Sequence, residues 1–391
     1  MSRSREQVAN DAAAALRDSI QGEGSPGVAL VGFDGFVDVI INAVDTRASM
    51  TPEDFTPIRT ISGFAARCDA AAGKSANIEM HVVEERFGGN GPLMAGGLAR
   101  LGATTDYIGG IGETDPSRVH PLFEGFAERC REVVCIGPPG HTDALEFEDG
   151  KLMLGKPANM QAITWDLLRD RVGVSELARR CEEARLFGIV NWTLSGGVQG
   201  IWEGLIAEVL GRLDSPPGVF IDLSDPAKRT DADVKSAMEC LGRMNALAPV
   251  TLGLNLAESE RMDRVLGCGS YERNASLGKS ERVSLAAEAI REAIGLDCVV
   301  VHPRDGAAAA EASGASAWFD GPFTREPKLS TGAGDHFNAG FAHARTVLGL
   351  PIEESLAIGC GTSGAYVRDA ESPTSARVCE LLEDLPPPAQ A

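Results

Sequence analysis

Residues 329–341 read LSTGAGDHFNAGF, a run of small residues leading straight into a helical pattern. Small side chains at Gly332, Ala333 and Gly334 let the backbone come close to a ligand. Successive amides at a helix N-terminus then form an anion site. Asp335 falls in the first turn of that helix. A carboxylate there can take a proton from an attacking hydroxyl while the amides balance charge on a transferring phosphoryl group. The plainer reading is a capped helix after a glycine-rich turn.

Outward from this string, short apolar runs alternate with helical stretches. Strands are predicted at 28–33, 106–109, 186–190, 219–223, 250–254 and 297–302. Helices are predicted at 92–101, 174–184, 199–213, 233–244, 284–294, 334–348 and 352–367. This alternation implies an α/β fold: a central, mostly parallel sheet with helices on both faces. Two segments break the rhythm. Residues 39–87 carry period-two stretches, and 144–155 read as a hairpin about Asp149-Gly150. Together they are expected to form a small β-sheet lid. Residues 1–27 are expected to hold a helix (1–18), residues 28–385 the main domain, and residues 386–391 a frayed, Pro/Ala-rich tail.

The 391 residues carry a formal net charge of −20, and 43% of them are hydrophobic, enough for a sizeable core. Such a charge disfavours nucleic acid and anionic membranes as partners. An anionic nucleotide must then be held by local amides and metal. The nine cysteines show no Cys-x-x-Cys spacing. That argues against a disulfide framework or a zinc site and for a reducing, cytoplasmic setting. No secretory leader and no run of about 18 apolar residues is read.

The string GAGDHFNAGF closely resembles the C-terminal signature of the ribokinase-like carbohydrate kinases, the PfkB family. The resemblance implies a ribokinase-like fold. It implies Asp335 as the base and the Gly332, Ala333 and Gly334 amides as the anion hole, with Thr331 beside the nucleotide. Residues 88–102, GGNGPLMAGGLARLG, are similar to the family's N-terminal signature, where Gly88 and Gly89 would line the sugar site. Leu93 stands where the family usually has Asn, and Asn90 is the candidate substitute.

In VGFDGFVDVI (31–40) the resemblance suggests that Asp38 holds substrate hydroxyls, with Asp34 as its competitor. The spacing from Gly32 to Asp38 lies closer to the ADP-dependent branch of the superfamily. Asn255 and Glu258 match an Asn-x-x-Glu motif that organises Mg2+ and phosphate through water, and hard oxygen ligands suit that ion. His302 and Gly306 would approach the nucleotide. A homodimer through the lids follows by analogy with the fold.

Other strings fail on context. Residues 359–364 fit G-x-G-x-x-G but lie within a helical pattern, not after a strand. Gly73-Lys74-Ser75 and Gly278-Lys279-Ser280 lack the earlier glycine of a P-loop. Three functional readings remain at this point. The first is an ATP-dependent kinase acting on a sugar-like hydroxyl, with ADP open as donor. The second is a silent sugar or nucleotide sensor on the same fold. The third is a nicotinamide-dependent oxidoreductase.

Overall fold

The computed structural model describes residues 3–21, 27–115 and 117–389. In chain order the strands are β1 (Val28–Phe33), β2 (Phe36–Arg47), β3 (Phe55–Pro57), β4 (Met80–Gly88), β5 (Thr104–Gly109), β6 (Glu132–Cys135) and β7 (Gly140–Phe147). They continue as β8 (Gly150–Lys156), β9 (Ala184–Ile189), β10 (Gly218–Asp222), β11 (Val250–Leu254), β12 (Cys298–Val301), β13 (Gly306–Glu311) and β14 (Ser316–Asp320).

The large sheet has nine strands in the order β14-β13-β12-β11-β10-β9-β1-β5-β6. Every pairing from β6 to β12 is parallel, and β13 and β14 close that edge as an antiparallel hairpin. Strands such as VTLGL and CVVV are buried along their whole length, as strands covered on both faces must be. From β1 the chain builds outward to β5 and β6, then returns to β9 and builds the other way. The order therefore reverses between β1 and β9, and a ligand crevice is expected at the carboxyl ends of such strands.

The second sheet has five strands. β2 starts three residues after β1 and pairs with β4 on one side and β7 on the other. β8 and β3 complete it. The hairpin turn sits at Asp149-Gly150, with Gly150 at φ 155°. This sheet spans 36–88 and 140–156, somewhat wider than the segments expected from sequence.

Several bounds differ from expectation for physical reasons. The predicted 334–348 helix is α-helical over Ala333–Ala342 and then widens into a π turn over His343–Val347. The 199–213 helix likewise leaves α geometry after Gly204. The N-terminal helix runs Arg5–Gln21, while Met1, Ser2 and residues 390–391 of the tail lie outside the described residues. Among the described residues no helix is long and apolar enough to cross a membrane.

Candidate active site

The carboxyl ends of β1, β9 and β10 deliver Asp34, Asn191 and Asp222 to one place. Asp34 is fully buried at the strand-order reversal. Its Oδ1 accepts from Gly91 N at 2.7 Å, and its Oδ2 from Asn90 N at 3.0 Å and Asn191 Nδ2 at 2.7 Å. Asn191 holds the left-handed conformation, φ 61°, to make that bond. Asp34 thus caps the helix Asn90–Arg100 and lies in the scaffold rather than in an open cleft. Burial pushes it up to about 6 against the pull of these donors.

Asp335 stands opposite, in the first turn of Ala333–Ala342. Asn90 Nδ2 donates to Asp335 Oδ1 at 2.8 Å, so one residue joins the two carboxylates. Burial first, and then the Asp222 charge, hold Asp335 well above the ordinary carboxylate range. Asp222 is itself raised by burial, although Ser224 N, Ser224 Oγ and Asn338 Nδ2 all donate to it.

Two clefts flank the turn before that helix. One, of about 370 Å³, is lined by Asn255, His302, Gly306, Ser330, Ala333 and Gly334 among others. The other, of about 380 Å³, is lined by Asp38, Arg86, Gly88, Leu93, Thr331 and Tyr366 among others. Each is large enough for one small ligand. Ser330, Ala333 and Gly334 line the first cleft and Leu329 and Thr331 the second, so this stretch contributes to both. Asp38, on β2 of the small sheet, is raised by burial, with the Arg86 charge and Thr142 pulling it down. A side chain at Gly88 would collide with the Asp38 carboxylate. Gly89, at φ 99°, starts the helix that carries Asn90.

Two placements add to the sequence reading. Thr331, expected beside the nucleotide, lines the cleft that holds Asp38. Asn255 and Glu258 are first of all a capping box: Asn255 Oδ1 accepts from Glu258 N at 3.0 Å and Glu258 Oε2 from Asn255 N at 2.8 Å. Glu258 Oε1 also accepts from Asp225 N at 2.9 Å. Burial, and then the Asp222 charge, push Glu258 up to about 7. His302 stacks on Phe337, centroids 4.6 Å apart. Its Nε2 has no partner among the described residues, and burial holds the ring near 4.

Sequence reasoning missed Asn191, Asp222, Arg86 and Tyr366. The first two carried a usable signal, since each is a polar residue at the carboxyl end of a predicted strand. Arg86 and Tyr366 carried none.

A turn of amides, a buried aspartate and two adjoining clefts at a sheet reversal suit group transfer between two bound molecules. The family profile of prokaryotic ketohexokinases matches residues 5–385. The chain belongs to the prokaryotic ketohexokinase family. It is a carbohydrate kinase of the PfkB, ribokinase-like type, moving a phosphoryl group to a hydroxyl. A ketohexokinase from Haloferax volcanii is 29% identical over 366 residues, covering 93% of this chain and 92% of that protein. The fold is shared more widely. A phosphofructokinase-2 variant from Escherichia coli superposes with TM-score 0.62 at 14% identity, covering 93% of this chain and 99% of that one. Arabidopsis thaliana ribokinase, solved with ribose and ATP, gives 0.60 at 16% identity, covering 92% and 99%.

Proposed function

We propose that this ketohexokinase family member phosphorylates a hydroxyl of a ketohexose with ATP, using Asp335 as general base and the 332–335 backbone as anion hole. The observation that carries this reading is the place of Asp335: buried, in the first turn of its helix, directly after Ala333 and Gly334, which line one of the two clefts. The cleft with His302, Asn255 and Gly306 takes the nucleotide. The cleft with Asp38, Gly88 and Leu93 takes the sugar, and Asp38 accepts from its hydroxyls.

A general base works best when its pKa lies near the working pH. Burial and Asp222 raise Asp335 toward that range, and the Asn90 amide restrains the rise by favouring the ionised form. The amides of Gly332 and Gly334 have no partner among the described residues, whereas Ala333 N donates to Ser330 O at 3.2 Å. The first two are therefore free to meet a phosphoryl oxygen.

Magnesium fits the acidic side of this site. Asp222 and Glu258 are buried, the Asp222 charge raises the proton affinity of Glu258, and no Lys or Arg is among the main influences on either. Among the described residues no cluster of three or more His, Cys, Asp or Glu makes a direct cage. A largely hydrated ion held by Glu258, Asp222 and Asn255 through water matches that donor set. When bound, the ion neutralises phosphate charge.

The test is turnover by purified protein with Mg2+ and ATP, or ADP, across ketohexoses, aldohexoses, pentoses, nucleosides and sugar phosphates. Ketohexose-dependent turnover with ATP is expected, falling about 100-fold or more in Asp335→Asn with the fold intact. Near-normal turnover in that variant removes Asp335 from its role. Preference for another acceptor, or for ADP, overturns the substrate assignment.

A further inference from the structure

Side chains from outside the 330–334 turn grip two of its carbonyls. The Tyr366 hydroxyl donates to Thr331 O at 2.8 Å. His336 Nδ1 lies 2.8 Å from Gly332 O. A carbonyl only accepts, so Nδ1 carries the proton. Nε2, 2.8 Å from Ser372 Oγ, then accepts from that hydroxyl. The His336 and Tyr366 rings stack with centroids 3.7 Å apart and planes 13° from parallel. His336 is fully buried. Ser372 thus fixes His336, His336 supports the Tyr366 ring, and Tyr366 holds the turn.

The consequence follows from peptide geometry. Among the described residues the cis peptide bond is Gly32-Phe33, so Thr331-Gly332 is trans. In a trans plane the carbonyl and the following N–H point in opposite directions. Holding Thr331 O therefore sets the direction of Gly332 N–H, an amide with no partner among the described residues. Gly332 sits at φ 90°, ψ −3°, which costs glycine little and any other residue more. A Cβ there would also lie 2.9 Å from the Tyr366 hydroxyl oxygen.

We propose that Tyr366, backed by His336, is a positioning residue that aims the Gly332 amide at the transferring phosphoryl group. The proposal rests on the reading of the 332–335 backbone as the anion hole. Tyr366 also lines the sugar cleft, but its single hydroxyl proton is committed to Thr331 O. Removing a preorganised donor outright costs about 100- to 1,000-fold in kcat. Loosening its aim while leaving it present should cost about 10-fold by the same reasoning.

The experiment compares wild type, Tyr366→Phe, His336→Asn, His336→Leu and Asp335→Asn. It measures kcat, KM for sugar and ATP, inhibition by ADP with aluminium fluoride (a mimic of the transferring phosphoryl group), and Tm. Tyr366→Phe should lower kcat about 10-fold with both KM values little changed. Inhibition by the fluoride mimic should weaken by a similar factor. His336→Asn, which can still donate to Gly332 O, should stay nearer wild type than His336→Leu.

Wild-type kcat and wild-type inhibition in Tyr366→Phe would overturn the brace while leaving the anion hole standing. So would a raised sugar KM with kcat intact, or a lowered Tm with unchanged kinetics. An active Asp335→Asn together with a wild type insensitive to the mimic would overturn the anion hole itself, and the brace with it.

Discussion

Asn90 Nδ2 lies 2.8 Å from Asp335 Oδ1, while the backbone N–H of the same residue donates to Asp34 Oδ2 at 3.0 Å. The start of one helix thereby fixes the position of the carboxylate at the start of another. Both helix starts lie near the β1–β9 reversal. The bond also has an electrostatic sense, since a donor to a carboxylate favours its charged form.

Asn90→Ala should therefore raise the pKa of Asp335 and leave more of the base protonated at neutral pH. A hydrogen bond to a charged group is worth about 1.5–3 kcal/mol, so kcat at pH 7 should fall about 10-fold or more. The acid limb of the pH–rate profile should move to higher pH. A raised sugar KM with an unmoved limb and an unchanged kcat would assign Asn90 to sugar binding alone.

Asp38 and Asp34 are only four positions apart but should fail differently. Asp38 faces the cleft on the small sheet, so Asp38→Asn should raise the sugar KM about 10- to 100-fold and change kcat less. Asp34 serves three donors inside the scaffold, so Asp34→Ala should first lower Tm. Steady-state kinetics and thermal melts on the two variants decide the matter. A kcat loss without a KM change in Asp38→Asn would move Asp38 out of the sugar site.

How much of this was legible depends on the range of each signal. The 329–341 string is local: turn, cap and helix follow one another, so its structure could be read directly. The hairpin β13–β14 could not. GAAAAE is rich in the best helix former, and only burial beside β12 makes it a strand. Asn255-x-x-Glu258 reads as a Mg2+ and phosphate motif, and the structure shows that it is also the capping box that starts the helix Leu256–Val265. Tyr366 lies in a long helix with little polar contrast, and which of its faces meets the 330–334 turn is set by packing between distant segments.

The buried groups predict a pH response of the ligand-free protein. A carboxylate with a raised pKa binds more protons folded than unfolded, so its contribution falls as pH rises through that window. Asp34 contributes this loss up to about 6 and Glu258 up to about 7, and Asp335, raised by burial, contributes in the same direction. His302, His336 and His343, held near 4, act oppositely: they add stability as pH rises from about 4 to the ordinary His value near 6.5. The two sets offset each other below about 6.5, and above it only the carboxylate loss remains. In EDTA, Tm should decline from pH 6.5 to 8 as Glu258 ionises, and Asp335→Asn, which removes a buried carboxylate, should melt higher than wild type at pH 8. A wild-type Tm that rises across this window would sink the argument.

Magnesium should reverse part of that decline, and Glu258 offers a way to ask where it acts. Glu258 accepts from two backbone amides, Asp225 N and Asn255 N, one on each oxygen. Glu258→Gln keeps one acceptor and turns an amide donor toward the other N–H, so a cap worth about 1 kcal/mol is weakened whatever else the residue does. Lower Tm alone therefore proves nothing about the ion. The discriminating quantity is the Mg2+ concentration for half-maximal turnover at fixed, saturating ATP. If Glu258 is only a cap, that concentration stays at the wild-type value while Tm drops. If it helps hold hydrated Mg2+ against the nucleotide, removing its charge should raise the half-saturating concentration several-fold. Mg2+ should then also restore less of the Tm lost between pH 6.5 and 8 than it does in wild type. An unchanged Mg2+ requirement would leave Asn255-x-x-Glu258 as helix architecture and assign the ion to Asp222.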